Sequence, residues 1–229
     1  NGLVSYLGRV NYTLDGKYLL GLAFRRDGAS VFGPDNRYGF FPGGSAAWIM
    51  SREGFLANSR SISLLKLRAS LGRTGNQGLG DYPYQSTYCT ANYGDEPGYY
   101  PCNLGNNALG WEKTTQTNLG FDLELWNGRA AFTADWYNKS TTDLLLSRPI
   151  PGSSGYTSFT DNIGAMRNRG LELVFTAVPL QPTRADGLRL VTTINLSFNR
   201  NQVTALYNDQ PFSTGYYDMN RVAVGHPLG

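Results

Sequence analysis

Residues Asn118 to Leu125 read NLGFDLEL. Leu119, Phe121, Leu123 and Leu125 fall on one side of an extended chain, and Asn118, Gly120, Asp122 and Glu124 fall on the other. Successive side chains of a strand point to opposite faces, so this period of two predicts a strand with one apolar and one polar face. Trp126-Asn127-Gly128 then reads as a turn. Arg129 to Leu146 reads as the return strand, with Phe132, Ala134 and Trp136 facing one way and Thr133, Asp135 and Tyr137 the other.

The same pattern extends in both directions. Ser5 to Leu14 alternates, Asp15-Gly16 is a tight-hairpin signal, and Tyr18, Leu20, Leu22 and Phe24 mark the apolar face of a strand starting at Lys17. Arg26 to Arg37 reads as a polar, turn-rich loop. A third strand fits Tyr38 to Ser51, although Pro42 inside it implies an edge, a bulge or a rim. Arg52 to Ser61 is a connector with one helical turn near Glu53-Gly54-Phe55-Leu56, and Leu65 to Gly72 is a fourth strand. Thr74 to Thr114 and Ser147 to Ile163 read as long loops. Gly170 to Val178 and Leu188 to about Leu206 are the last two strands, joined by a turn over Pro179 to Gly187. Short and long connections therefore alternate, the arrangement of an outer-membrane barrel with short periplasmic turns and long extracellular loops.

Composition agrees. Charged residues make up 16% of the 229 residues, against roughly 25% in soluble domains. Aromatic residues make up 13%, and there are 28 glycines. The net charge of +3 is too small and scattered to imply nucleic acid. No run of about 18 apolar residues exists, so no membrane helix is expected, which leaves a membrane barrel open.

Alternation alone also fits a soluble β-sandwich, a carbohydrate-binding or adhesion module. Three features favour lipid. The strand patterns exceed the usual five or six or so residues. Aromatic residues recur near strand ends, as in a membrane girdle: Tyr18, Trp48, Trp126, Trp136 and Tyr137. The loops sort by length. The expected fold is therefore all-β, an antiparallel transmembrane barrel segment of about eight long strands with long extracellular loops.

Several stretches, in order along the chain, resemble the SusC/RagA group of TonB-dependent outer-membrane transporters. They are Arg25 to Pro42 (RRDGASVFGPDNRYGFFP), Leu65 to Gln77 (LKLRASLGRTGNQ), Trp111 to Gly120 (WEKTTQTNLG), Trp136 to Leu146 (WYNKSTTDLLL), Asn168 to Leu173 (NRGLEL) and Gly225 to Gly229 (GHPLG). The resemblance implies a Bacteroidetes-type outer-membrane barrel of the roughly 22-stranded, plugged kind. It further implies a SusD-like surface lipoprotein as partner, energy from TonB, and import of oligosaccharides or peptides. Residues 1–229 then form part of one barrel domain, with the plug and the closing strands absent. About eight strands cannot close so wide a barrel, so the chain is expected not to act as a transporter by itself.

No catalytic constellation appears, so no enzyme is expected. The single histidine, His226, has no nucleophile motif beside it. Asp122 and Glu124 share a strand face as paired carboxylates would, but the plainer reading is a wet lumen wall. No cofactor and no metal site is expected. Cys89 and Cys102 lie in the Tyr-rich loop as either a disulfide or two free thiols, and their spacing is not that of a zinc site. Arg25, Arg26 and Arg37 flank an outer loop, where they either bind acidic sugars or lipid headgroups, or order the loop against Asp27 and Asp35. Tyr82, Tyr84, Tyr88, Tyr93, Tyr99 and Tyr100 offer ring faces to sugars or to the partner. The candidate contact residues are Arg37, Asn76, Gln77, Tyr82, Tyr84, Tyr99 and Tyr100.

Overall fold

A computed structural model describes residues 2–180, 187–214 and 220–228. The long strands are β1 (Leu3–Leu14), β2 (Tyr18–Ala29), β3 (Tyr38–Ile49) and β4 (Ile62–Asn76), then β7 (Glu112–Leu125), β8 (Ala130–Thr142), β11 (Ala165–Leu180) and β12 (Leu190–Ala205). They form one antiparallel sheet in the order β1-β2-β3-β4-β7-β8-β11-β12. Among the described residues, three two-stranded pairs lie outside it: β5 (Thr87–Tyr93) with β6 (Glu96–Asn103), β9 (Leu145–Pro149) with β10 (Ser158–Asn162), and β13 (Phe212–Thr214) with β14 (Asn220–Val222). Among the described residues no second sheet packs face to face on the first, as a sandwich requires.

The hairpin turns follow their residues. Asp15 and Gly16 both take positive φ, 51° and 64°, the geometry of a tight hairpin turn. Trp126, Asn127 and Gly128 also take positive φ. Pro42 lies where β3 leaves β4: it pairs with Phe24 of β2, but the β3–β4 ladder starts only at Gly43↔Gly72. The missing N–H therefore faces an open seam.

Several boundaries differ from the sequence reading. β2 runs to Ala29, because Arg26, Asp27 and Gly28 pair with Phe40, Gly39 and Tyr38. The Arg52–Ser61 connector begins with a 3-10 turn at Met50–Arg52, and the Leu56 and Ala57 amides then donate to the Glu53 carbonyl. The two long loops each contain a hairpin. Of the turn at Pro179 to Gly187, residues 181–186 lie outside the described residues.

The registers assign the two faces. One row runs Leu14, Tyr18, Trp48, Leu67, Phe121, Ala134, Leu173 and Leu196, all on the apolar side, which is the outward face of a barrel in lipid. The next runs Tyr12, Leu20, Ala46, Ala69, Leu119, Trp136, Leu171 and Phe198. The opposite face is polar. There Arg68 donates to both oxygens of Asp122 at 2.9 and 3.0 Å and to Asp135 at 3.0 Å, and Asn118 donates to Ser70 at 3.0 Å. Asp122 is thus engaged by Arg68 and accepts from the Thr133 hydroxyl at 3.3 Å. Tyr137 points inward, where its hydroxyl meets Asn199, so it is no girdle residue. Trp48 and Tyr18 stack outward at 6.3 Å, as a girdle pair would.

At the short-turn end Glu53 ties two connections together. Its carboxylate accepts from Tyr18 at 2.7 Å, Lys17 at 3.0 Å and Trp48 at 3.2 Å. These bonds, the tyrosine's first, hold the Glu53 pKa below the usual carboxylate range, and the Glu53 bond holds Lys17 above the usual lysine value. A lowered carboxylate pKa contributes stability above the unfolded-state pKa, and that stability is lost as pH falls through the folded one. The Lys17 share is complete below the ordinary lysine pKa and is lost as pH rises beyond it. Glu53→Gln should therefore lower the unfolding midpoint at pH 7. The deficit should vanish as pH falls below the carboxylate range, which melting the parent and variant across pH checks.

Candidate functional site

The long-loop end is not a set of separate loops. Phe32, Leu109 and Trp111 are buried there with Ala29, Val31 and Phe41. The Phe32 and Trp111 rings lie 5.2 Å apart, and Phe41 meets Trp111 edge-on at 5.4 Å. Phe41 and Trp111 fill the seam opened above Pro42: a β-carbon added at Gly75 of β4 would collide with both rings. Glycine is therefore required there for close approach.

The segment between β6 and β7 joins its neighbours on both sides. Trp111 Nε1 donates to the Arg37 carbonyl at 3.1 Å, and Asn36 Nδ2 donates to the Ala108 carbonyl at 3.0 Å. On the other side Asn106 Nδ2 donates to the Thr160 carbonyl at 3.0 Å. The Gly110 amide donates to Asn162 Oδ1 at 2.7 Å, and Asn162 Nδ2 returns a bond to the Gly110 carbonyl at 2.9 Å. Three outer loops thus share one small apolar core and one amide network. Buried backbone polar groups need such partners, and the asparagines supply them.

The candidate contact residues divide over this cap. Arg37 is half-buried at its base; its carbonyl serves Trp111 and Ala29, while its Nε has no partner among the described residues. Arg25, rather than Arg37, pairs with Asp27, at 2.7 Å. Asn76 ends β4, donates to Glu112 at 3.3 Å and accepts from the Gly78 amide at 3.2 Å. Gln77 follows, with its buried Oε1 unpartnered among the described residues. Tyr82 and Tyr84 meet edge to face at 6.3 Å. Asn103 of β6 holds their segment by donating to the Pro83 and Gln85 carbonyls.

The β5–β6 hairpin carries the remaining tyrosines. Cys89 and Cys102 are joined across it, with Cα atoms 5.6 Å apart. Tyr99 and Tyr100 point to opposite faces, because Tyr99 pairs with Thr90 and Tyr100 with Cys89. The strand period places Tyr88 on the Tyr99 face. Tyr88 and Tyr99 are open, at 68% and 79% exposure, while Tyr82 and Tyr100 are less so and Tyr84 is half-buried. The seven candidates therefore form no single pocket. Arg37, Asn76 and Gln77 belong to the base of the cap and the tyrosines to its outside. Of the residues that organise it, Phe32 falls in the Arg25–Pro42 stretch, whereas Leu109, Asn106 and Asn162 fall in none of the quoted stretches. The His226 carbonyl accepts from the Val203 amide at 2.8 Å.

Comparison with known proteins places this arrangement. Residues 4–225 match the family described as TonB dependent receptor-like, beta-barrel. TonB-dependent receptor P39 of Formosa agariphila is 39% identical over 100% of this chain, which spans 22% of that protein. TonB-dependent receptor SusC of Bacteroides thetaiotaomicron is 37% identical over 90% of the chain, corresponding to 21% of its own length. Among solved structures, the RagAB peptide transporter superposes with a TM-score of 0.90 at 28% identity, covering 99% of this chain and 25% of that one. The chain therefore spans about a fifth to a quarter of the proteins it resembles.

Proposed function

The chain belongs to the TonB dependent receptor-like β-barrel family of the outer membrane, and on that premise we propose that it forms barrel wall and outer cap of a TonB-driven nutrient importer. The observation that carries the proposal is the pairing of faces. The sheet is apolar outward, polar inward, and capped at its long-loop end by one knitted platform. A lipid-embedded barrel with a wet lumen needs the first two features. A receptor that captures substrate before passage needs the third.

We assign oligosaccharides as the substrate class. Tyr88 and Tyr99 present open ring faces on one side of a hairpin stiffened by a disulfide, which suits sugar rings. The peptide cargo named for RagAB is the second reading, supported by the likeness of fold. A SusD-like lipoprotein would close over the cap, and TonB would act through a plug outside this stretch.

The test uses the full-length receptor together with its lipoprotein. A panel of oligosaccharides and peptides is titrated calorimetrically against the parent and Tyr88→Ala/Tyr99→Ala. Loss of two stacking rings should weaken oligosaccharide binding roughly tenfold. Unchanged oligosaccharide binding would remove the tyrosines from the site, and binding of peptides alone would replace the substrate class.

A further inference from the structure

On six of the eight long strands the outward face turns from apolar to polar towards the long-loop end, while β1 and β3 keep Tyr6, Val4, Phe40 and Tyr38 there. On β2 the last apolar outward residue is Phe24, and the next is Arg26. On β4 the step is Leu71 to Arg73; on β11, Leu171 to Arg169; on β12, Phe198 to Arg200. On β7 and β8 the same step brings Thr117 and Asn138. The boundary steps down by one outward position from β2 to β4 and by one more from β4 to β7, and then keeps to the single row Leu119, Trp136, Leu171 and Phe198. No aspartate or glutamate occupies an outward position on any of the eight long strands.

The arginines concentrate on the last two strands. Arg169 and Arg200 are direct cross-strand partners, and Arg167 lies two residues further along β11 on the same face. All three are exposed, and none forms an ion pair among the described residues. Like charges placed directly opposite destabilise a sheet unless an anion lies between them. Ser140 and Asn138, the β8 partners of Arg167 and Arg169, add uncharged polar groups beside them. Leu171 and Phe198 start the apolar belt one outward position away, about 7 Å along the strand.

We propose that Arg167, Arg169 and Arg200 form a binding site for the phosphate of an outer-leaflet glycolipid headgroup, whose acyl chains lie on Leu171 and Phe198. Guanidinium groups match phosphate oxygens in bidentate geometry. Contiguity with the apolar belt selects a lipid phosphate over a free one, since only a lipid covers both surfaces at once. The inference rests on the membrane location of the family and not on the identity of the imported nutrient.

The test uses the full-length receptor in nanodiscs of neutral phospholipid, with native mass spectrometry as readout. The probes are monophosphoryl lipid A, the same lipid without phosphate, and inorganic phosphate. The parent should retain the phosphorylated lipid about tenfold more than the unphosphorylated one. Arg169→Gln/Arg200→Gln should abolish that preference, and Arg169→Lys/Arg200→Lys should restore part of it. Heat-modifiable mobility in gels verifies that each variant is a folded barrel. Equal retention of both lipids by the parent, or an unchanged preference in the folded glutamine variant, would overturn the proposal. Displacement of the lipid by millimolar inorganic phosphate would reduce the site to a general anion site and would also overturn it.

Discussion

Trp111→Ala is expected to release the outer cap from the barrel wall while leaving the wall assembled. Trp111 contacts Phe32 and Phe41, plugs the seam beside Gly75, and donates its indole N–H to the Arg37 carbonyl. Truncating a buried tryptophan costs about 3–5 kcal/mol in transfer and cavity terms. That loss falls on a small core with only a handful of other buried side chains to share it. The three outer loops lose their common anchor, so protease cleavage within residues 77–111 should accelerate strongly. Capture of substrate should fall with it. The long strands keep their ladders, so heat-modifiable mobility should persist. Phe40→Ala provides the contrast, because Phe40 lies outward and exposed on β3 and should leave the cap intact. Proteolysis of Trp111→Ala at the parent's rate would show that the loops are held some other way.

The second large effect concerns one face of one strand. Leu119 lies outward between Ala69 and Trp136 in register, and half of its surface is open in the isolated chain. In a soluble sheet, lysine at such a position would change stability by no more than about 0.5 kcal/mol. In a lipid-facing belt it costs about 2–4 kcal/mol at the midplane and less towards the interfaces, and Leu119, next to the outward Thr117, lies on the outer side of the belt between these limits. Leu119→Lys should therefore lower the yield of assembled receptor and its denaturation midpoint. Asn118→Lys, one residue earlier, faces the lumen between Ser70 and Tyr137 and should be tolerated. Urea unfolding of both variants in liposomes measures the difference. Similar behaviour of the two would contradict the assignment of faces.

Much of the wall was readable in the sequence because its two constraints are local. The period of two in β7 and β8 assigns each residue to a face, and Asp15-Gly16 sets a hairpin register that carries over from strand to strand. Strand ends were harder to read. Arg26, Asp27 and Gly28 have loop composition, yet they remain paired, because barrel strands continue past the lipid into water and need no apolar face there. The hairpin β5–β6 was hidden by its Gly, Tyr and Pro content, which normally marks irregular loops. The cap core was hidden for another reason. Phe32 and Phe41 lie far along the chain from Leu109 and Trp111, so no periodicity within one segment links the two pairs. Arg37, Asn76, Gln77 and the loop tyrosines stand out in the sequence by residue type. The joints are asparagines, whose amides serve backbone groups that only the folded loops bring close.

The central claim is that one face of this sheet meets lipid and the other meets water. Spin labels placed one at a time along β7 of the full-length receptor in liposomes test it most directly. Labels at Leu119, Phe121 and Leu123 should be relaxed by lipid-dissolved oxygen and shielded from a water-soluble nickel chelate. Labels at Gln116, Asn118 and Glu124 should respond the opposite way. Nickel access at all six positions, or oxygen access without alternation, would contradict the account.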